Sequence, residues 1–300
     1  MNRTEKKSAY ILKHFPGVYA FYFLIASLQH RAFYFLNRFI PKGFRKHEDI
    51  YRSWIEQRIP LTENEKTWKI EYPVNNQSTK ITLRKNDSDL YVFNQVLLHE
   101  GYRSILNLLV DYGIEAPRII DAGSNIGLTA LYFKRFLPQS QIACIEPSPE
   151  NVQVMRANLD ENQMQDVRVF AKGLWNRNTF LTRKTDFRDN LSWAFAVEEG
   201  PERADAMEAI TLQEIMNQMK WENADVLKID IEGAEAALFS DEKTFSYLVN
   251  RYRIIAVEIH EEMISSKLIR KKLRDCGMVV FDSGELTVAI IRNRNTYRAT

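Results

Sequence analysis

IIDAGSNIGL, Ile119 to Leu128, opens as an apolar β-branched run, breaks at Asp121 into a turn of small residues, and resumes as the start of a helix. Gly123 and Gly127 stand four apart, with an acid ahead of the first and an amide between them. Such a strand-to-helix turn aims backbone N–H groups at whatever lies beyond the strand. Around it the order alternates. RIIDA, QIACIE, VRVFA, DVLKID and RIIAVEI read as buried strands, and GLTALYFKRFL and SPENVQVMRANLDEN carry helical spacing between them. The pattern is that of an α/β, doubly wound parallel sheet with helices on both faces. Beyond the helical ISSKLIRKKLRDCG, the two apolar runs of MVVFDSGELTVAIIRN flank Asp-Ser-Gly-Glu and predict a hairpin that closes the sheet with an antiparallel strand.

In an open α/β sheet, ligands gather outside the carboxyl ends of the strands, where the strand order reverses. The first strand brings Asp121, Gly123, Ser124, Asn125 and Gly127 there, and the second ends in EPSPEN, with Glu146 23 residues after Gly123. An acid at that place accepts two ribose hydroxyls, in dinucleotide sites as in others. Dinucleotide turns read G-x-G-x-x-G, whose second glycine lets backbone approach a pyrophosphate; here Ser124 and Asn125 fill that space. Asp121 would repel a pyrophosphate and suits a ligand bearing an ammonium and a sulfonium, such as S-adenosylmethionine. The fourth strand, DVLKIDIEGAE, alternates Lys228, Asp230 and Glu232 with apolar residues and aims all three at one side. Lys228 and Glu232 read equally as acceptor contacts and as a structural ion pair, while Asp230, at the strand tip, reads as part of the site. The fifth strand ends in VEIH, so Glu258 and His260 reach the same crevice, and a histidine there is a candidate general base. Together these acids and the histidine carry enough donors for a divalent ion, but no acid pair has a recognised ligand spacing, so no metal is expected.

IIDAGSNIGL, IEPSPEN, LKIDIEGAE and VEIH, in that order and at those separations, resemble the FkbM-type branch of S-adenosylmethionine-dependent class I methyltransferases. ITLRKNDSDLYVFNQVLLHEGYRS is similar to that family's lead-in, so the resemblance covers about residues 80–290. It implies a Rossmann-like class I methyltransferase sheet of seven strands, mostly parallel with an antiparallel last strand. It also implies O-methylation of a hydroxyl, often on a sugar of a glycan, glycolipid or natural product. Carried over by position, Asp121, Gly123, Asn125 and Gly127, with Ser124 and Leu128, cradle the methionine part of the cofactor; Glu146, with Pro147 and Ser148, holds its ribose. Asp230 lies where the methyl group meets the acceptor. The family gives no securely shared catalytic base, so His260 stands as first candidate, with Glu258 and Asp230 as rivals. Two other classes stay open: a nicotinamide-dependent oxidoreductase, weakened by the missing G-x-G-x-x-G, and a non-catalytic scaffold that docks through its N-terminus.

Upstream, residues 9–46 are apolar and aromatic with basic residues throughout, and residues 1–60 hold eleven Lys/Arg against four Asp/Glu. A helix from Pro16 to Gln29 would span only about 20 Å, short of the roughly 30 Å hydrocarbon core. SLQHRAF offers no small-x-small cleavage site for a signal peptide. The segment therefore reads as a membrane-surface helix pair or as a packing extension that could also mediate a homodimer. Organisation follows as a helical, aromatic and basic extension over 1–65, a β-hairpin and helical lead-in over 66–116, the methyltransferase domain over 117–293 and a tail over 294–300. Arg177 to Phe195 mixes Arg, Asp, Asn and Trp193 as a sugar-contacting surface does, or as a solvated loop does. A net charge of +2 gives no case for a nucleic-acid partner. Two cysteines, Cys144 and Cys276, make no disulfide framework and fit a reducing, cytoplasmic compartment, with or without contact to the inner membrane surface.

Overall fold

The computed structural model describes residues 7–15, 20, 24, 48–85, 88–183, 197–204 and 206–291. Most of the aromatic segment 9–46, the Trp193 region and the tail thus lie outside the described residues. Two compact units divide the chain between Asn94 and Gln95, inside the stretch that reads from sequence as one lead-in.

The first unit holds a helix Lys7–His14, a helix Glu48–Gln57, three antiparallel strands β1 (Leu61–Glu63), β2 (Thr67–Val74) and β3 (Gln77–Arg84), and a short helix Asp89–Phe93. Asn75 and Asn76, both at positive φ, close the β2–β3 hairpin between paired Val74 and Gln77. Two-residue hairpin turns need that conformation, and asparagine adopts it more readily than most residues. Trp54, fully buried, meets Tyr51, Trp68 and Phe93 edge to face. Tyr10 is buried in the same unit and donates its hydroxyl to the Ile59 carbonyl at 2.8 Å, so the start of the aromatic segment is a packed helix. Among the described residues no helix is long and apolar enough to cross a membrane.

In the second unit a π-helical turn, Asn94–Leu98, whose first residue belongs to the first unit, and a helix Arg103–Asp111 precede an alternation: β4 (Arg118–Ala122), helix Leu128–Phe136, β5 (Gln141–Ile145), helix Pro149–Glu161, β6 (Arg168–Phe170). Four short strands follow, β7 (Gly173–Leu174), β8 (Phe180–Arg183), β9 (Val197–Gly200) and β10 (Met207–Ile210). Next come helix Leu212–Met219, β11 (Ala224–Ile229), helices Glu235–Ser240 and Glu242–Arg251, β12 (Tyr252–Glu258), helix Ser266–Asp275, β13 (Met278–Ser283) and β14 (Leu286–Ile291). The main sheet has seven strands in the order β13-β14-β12-β11-β4-β5-β6; β14 runs antiparallel to β12, as the hairpin pattern predicts. Ile119, Ile120, Val226, Leu227, Ile254 and Ile255 are all fully buried, as strands covered on both faces require. This is the doubly wound, Rossmann-like sheet that the alternation of strands and helices predicts.

A second sheet, β7-β10-β8-β9, is not legible in the sequence. It takes Val197–Gly200 out of the stretch Asp186 to Ala206, which reads as one long loop, by pairing it with β8. Leu181, Val197 and Ala209 of this sheet pack on Ala234, so it buttresses the turn that follows β11.

The reversal of strand order falls between β4 and β11, whose tips touch. Gly123, at φ +76°, is so close to β11 that a Cβ would lie 1.6 Å from the Asp230 carbonyl oxygen. Only glycine allows both the left-handed turn and this approach. Gly123→Ala is expected to cost about 3 kcal/mol or more in urea unfolding, because backbone must move. Gly113→Ala, at φ +66° with open space around it, should cost only about 1 kcal/mol.

Candidate active site

Asp121 and Lys228 occupy paired positions on β4 and β11, and both side chains are buried. The Lys228 ammonium donates to the Gly123 carbonyl at 2.6 Å and lies 3.2 Å from Asp121 Oδ1 and 3.5 Å from Asp230 Oδ2. Burial alone would lower its pKa; Asp121, Tyr102 and Asp230 outweigh that and hold it well above the ordinary lysine value. The lysine thus joins the turn and both strand tips. Beyond this ion pair, neither Asp121 carboxylate oxygen has a hydrogen-bond donor among the described residues. Tyr102, buried beside these charges and hydrogen-bonded to Thr129, is pushed up chiefly by desolvation.

The turn is held by its own polar atoms. Ser124 donates its hydroxyl to the Asp121 carbonyl at 2.6 Å and accepts the Ile145 N–H at 3.0 Å. Asn125 takes positive φ, and its N–H donates to Glu146 Oε2 at 2.9 Å. Glu146 Oε1 accepts from the Ser148 N–H at 2.9 Å and the Asn151 amide at 3.2 Å, while the Ser148 hydroxyl caps the helix that starts at Pro149. Burial raises the Glu146 pKa, and these donors oppose the rise by favouring the charged form. The Asn125 side-chain oxygen is buried without a partner.

A ring of acids follows at the ends of β11 and β12. Glu232, at φ +52°, and Gly233, at +98°, turn the chain away from β11, and Met263 covers Gly233. His260 is buried; its Nδ1 lies 3.1 Å from Glu235 Oε1 and its Nε2 3.4 Å from Glu232 Oε2. Burial works against the charged ring, but the Glu235 hydrogen bond and the charges of Glu235, Glu232 and Asp230 raise its pKa to about 9. Burial, with Asp230 and Glu285, raises Glu258 to about 8.

Residues 121–280 match the methyltransferase FkbM domain. The chain belongs to the FkbM methyltransferase family. Its relatives include Methyltransferase sdnD of Sordaria araneosa, 28% identical over 193 residues that cover 54% of this chain and 73% of that protein. Methyltransferase 1 of Beauveria bassiana (strain ARSEF 2860) is 36% identical over 63 residues, 21% of this chain and a quarter (25%) of that protein. Among solved structures, methyltransferase FkbM from Methylobacillus flagellatus KT aligns at 13% identity and TM-score 0.41, over 59% of this chain and 44% of that chain. Magnesium protoporphyrin IX methyltransferase (ChlM) from Synechocystis PCC 6803, solved with bound SAM, aligns at 12% identity and TM-score 0.39, over 64% and 78%.

In this FkbM-type unit the strand-end residues do converge, with three changes of part. Lys228, read as an acceptor contact or a partner of Glu232, is buried beneath the turn because three oxygens surround its ammonium. Ser124, Leu128 and Ser148, read as cofactor contacts, are buried, and both serine hydroxyls are engaged within the protein. His260, read as a base, is flanked by two carboxylates, with Glu235 at its Nδ1 and Glu232 facing its Nε2, and these raise its pKa. Trp193 lies outside the described residues. Sequence reasoning passed over Glu235, the second acid of E-G-A-E, and Tyr102; their spacing signals nothing, because only folding brings them to the site. Lys228→Met is expected to lower stability by about 3–5 kcal/mol in chemical denaturation, since it leaves Asp121 a buried charge without its cation.

Proposed function

We propose that the chain transfers a methyl group from S-adenosylmethionine to a hydroxyl oxygen of a sugar-bearing acceptor. The observation that carries this is Glu146, whose carboxylate is oriented by three N–H donors beside a turn that presents Asp121, ion-paired to Lys228, and the Asn125 side-chain oxygen, unpartnered among the described residues. A carboxylate has about four lone-pair sites, so one held in this way keeps a site on Oε2 for a ribose hydroxyl, and the Asn125 oxygen suits the ammonium of the methionine part. When bound there, S-adenosylmethionine supplies an electrophilic methyl group.

The chain's own residues then have two tasks, to align the acceptor and to take its proton. Asp230 and Glu258 stand at the ends of β11 and β12, and either carboxylate can accept the hydroxyl proton. The acceptor class is inferred from the same ring. Asp230, Glu232 and Glu258 are acceptor-only groups when ionised, which favours a neutral polyhydroxy compound and repels an anionic one. A nicotinamide reading has no support in the turn, since a buried Asp121 opposes a pyrophosphate.

Calorimetry with S-adenosylmethionine should show binding that Glu146→Gln weakens at least about tenfold, and adenosine binding should weaken equally because the lost contact is to ribose. Asp230→Asn and Glu258→Gln should lower methyl transfer to the acceptor, followed with labelled cofactor, with little change in cofactor affinity. Absence of cofactor binding by the folded wild-type chain would overturn the reading.

A further inference from the structure

We propose that Asp230, Glu232 and His260 form a binding site for a divalent first-row metal ion, with Glu235 as the residue that positions the histidine. One donor atom from each of the three lies within 4.8 Å of the others. Two ligands opposite each other, each about 2.1 Å from an ion, stand about 4.2 Å apart, so small side-chain rotations close the gap. The sequence hides this grouping. Asp230 and Glu232 come from the end of β11 and His260 from the loop after β12, and no spacing rule links them.

The histidine is the second and independent observation. Glu235 Oε1 accepts the Ile231 N–H at 2.9 Å, which fixes the carboxylate, and the same oxygen lies 3.1 Å from His260 Nδ1. A carboxylate offers only lone pairs, so Nδ1 carries the hydrogen of the neutral ring and Nε2 presents its lone pair. Nε2 is buried, has no hydrogen-bond partner among the described residues and faces Glu232 at 3.4 Å. A carboxylate that orients a histidine whose other nitrogen points at further carboxylates is the arrangement that surrounds metal-bound imidazoles.

Charge and donor type narrow the ion. Asp121, Asp230, Glu232, Glu235 and Glu258 stand around the ends of β4, β11 and β12, and Lys228 offsets the charge of Asp121 and Asp230. Two hard carboxylate oxygens suit Mg²⁺ and Mn²⁺, and the imidazole shifts the preference toward Mn²⁺ and its transition-metal neighbours. Three protein ligands leave positions for water or for oxygens of an acceptor. That last role rests on the methyltransfer reading; binding of the ion does not.

The test uses the full chain, stripped with a chelator and titrated with Mn²⁺ while the signal of the free ion is followed by electron paramagnetic resonance. The expected result is one ion per chain, with nitrogen modulation in the pulsed spectrum of the bound ion. His260→Ala should abolish that modulation. Glu232→Gln and Glu235→Gln should each weaken binding by about 10–100-fold, whereas Asp275→Asn, at an exposed acid outside the cluster, should leave it unchanged; circular dichroism checks that every variant is folded. No loss of free signal with the wild-type chain, or a bound ion without nitrogen modulation, would overturn the proposal and leave the ring a partner for a proton only. Calorimetry with S-adenosylmethionine on the stripped chain separates the two readings. Mn²⁺ binding without cofactor binding sinks the methyltransfer reading and upholds the ion site, and the reverse result does the opposite.

Discussion

The interaction on which the second unit depends is the buried Lys228 ammonium. It joins the Gly123 carbonyl to the carboxylates of Asp121 and Asp230 and so links the turn after β4 to the tip of β11. A buried cation of this kind is tolerated only when opposite charges and hydrogen bonds surround it. Its presence lets two acids approach within one pocket of the sheet, where mutual repulsion would otherwise move one of them or neutralise it. Gly123 is the steric counterpart: the turn lies on the Asp230 carbonyl, and the lysine fills the charge well beneath it.

From that clamp the site extends in two directions with different electrostatics. Toward β5, Glu146 is wrapped in N–H donors, which keeps a buried carboxylate as an acceptor of fixed orientation. Toward β12, carboxylates crowd together with His260; burial and neighbouring acids raise Glu258, and the carboxylates raise His260 against the effect of burial. One side is organised to hold hydroxyl donors. The other is organised to attract positive charge. A methyl donor that carries a sulfonium, and an ion bound beside an acceptor, both fit such a division.

The motifs that mark the chain as a member of the FkbM family take their physical meaning from this geometry. K-I-D-I-E-G-A-E places Lys228 beneath the turn, Asp230 at its edge, Glu232 in a left-handed bend and Glu235 on the first turn of the next helix, where it accepts the Ile231 N–H. Four ionisable residues in eight thereby take four separate tasks. The four-stranded sheet that packs on Ala234 holds this bend in place.

Read alone, the sequence determined the alternation of strands and helices, the antiparallel closing hairpin, and the group of residues that end the strands. Those features rest on local chemistry: apolar periodicity, glycine turns and helix caps act over a few residues and leave their marks there. The β2–β3 hairpin was equally legible from alternation and from Asn75-Asn76. Which strand-end residue does what was decided by the tertiary structure. Lys228 could as well have faced an acceptor; the register of β11 beside β4 sets it opposite Asp121. Glu235 and Tyr102 reach the site from helical segments whose local pattern reads as packing, and the second sheet arises from strands of two to four residues, too short for periodicity to show. The neighbours that folding supplies changed the reading of His260 most. A histidine beside a strand end reads as a base, but Glu235 lies at its Nδ1 and Glu232 faces its Nε2, and that proximity exists only in the folded chain.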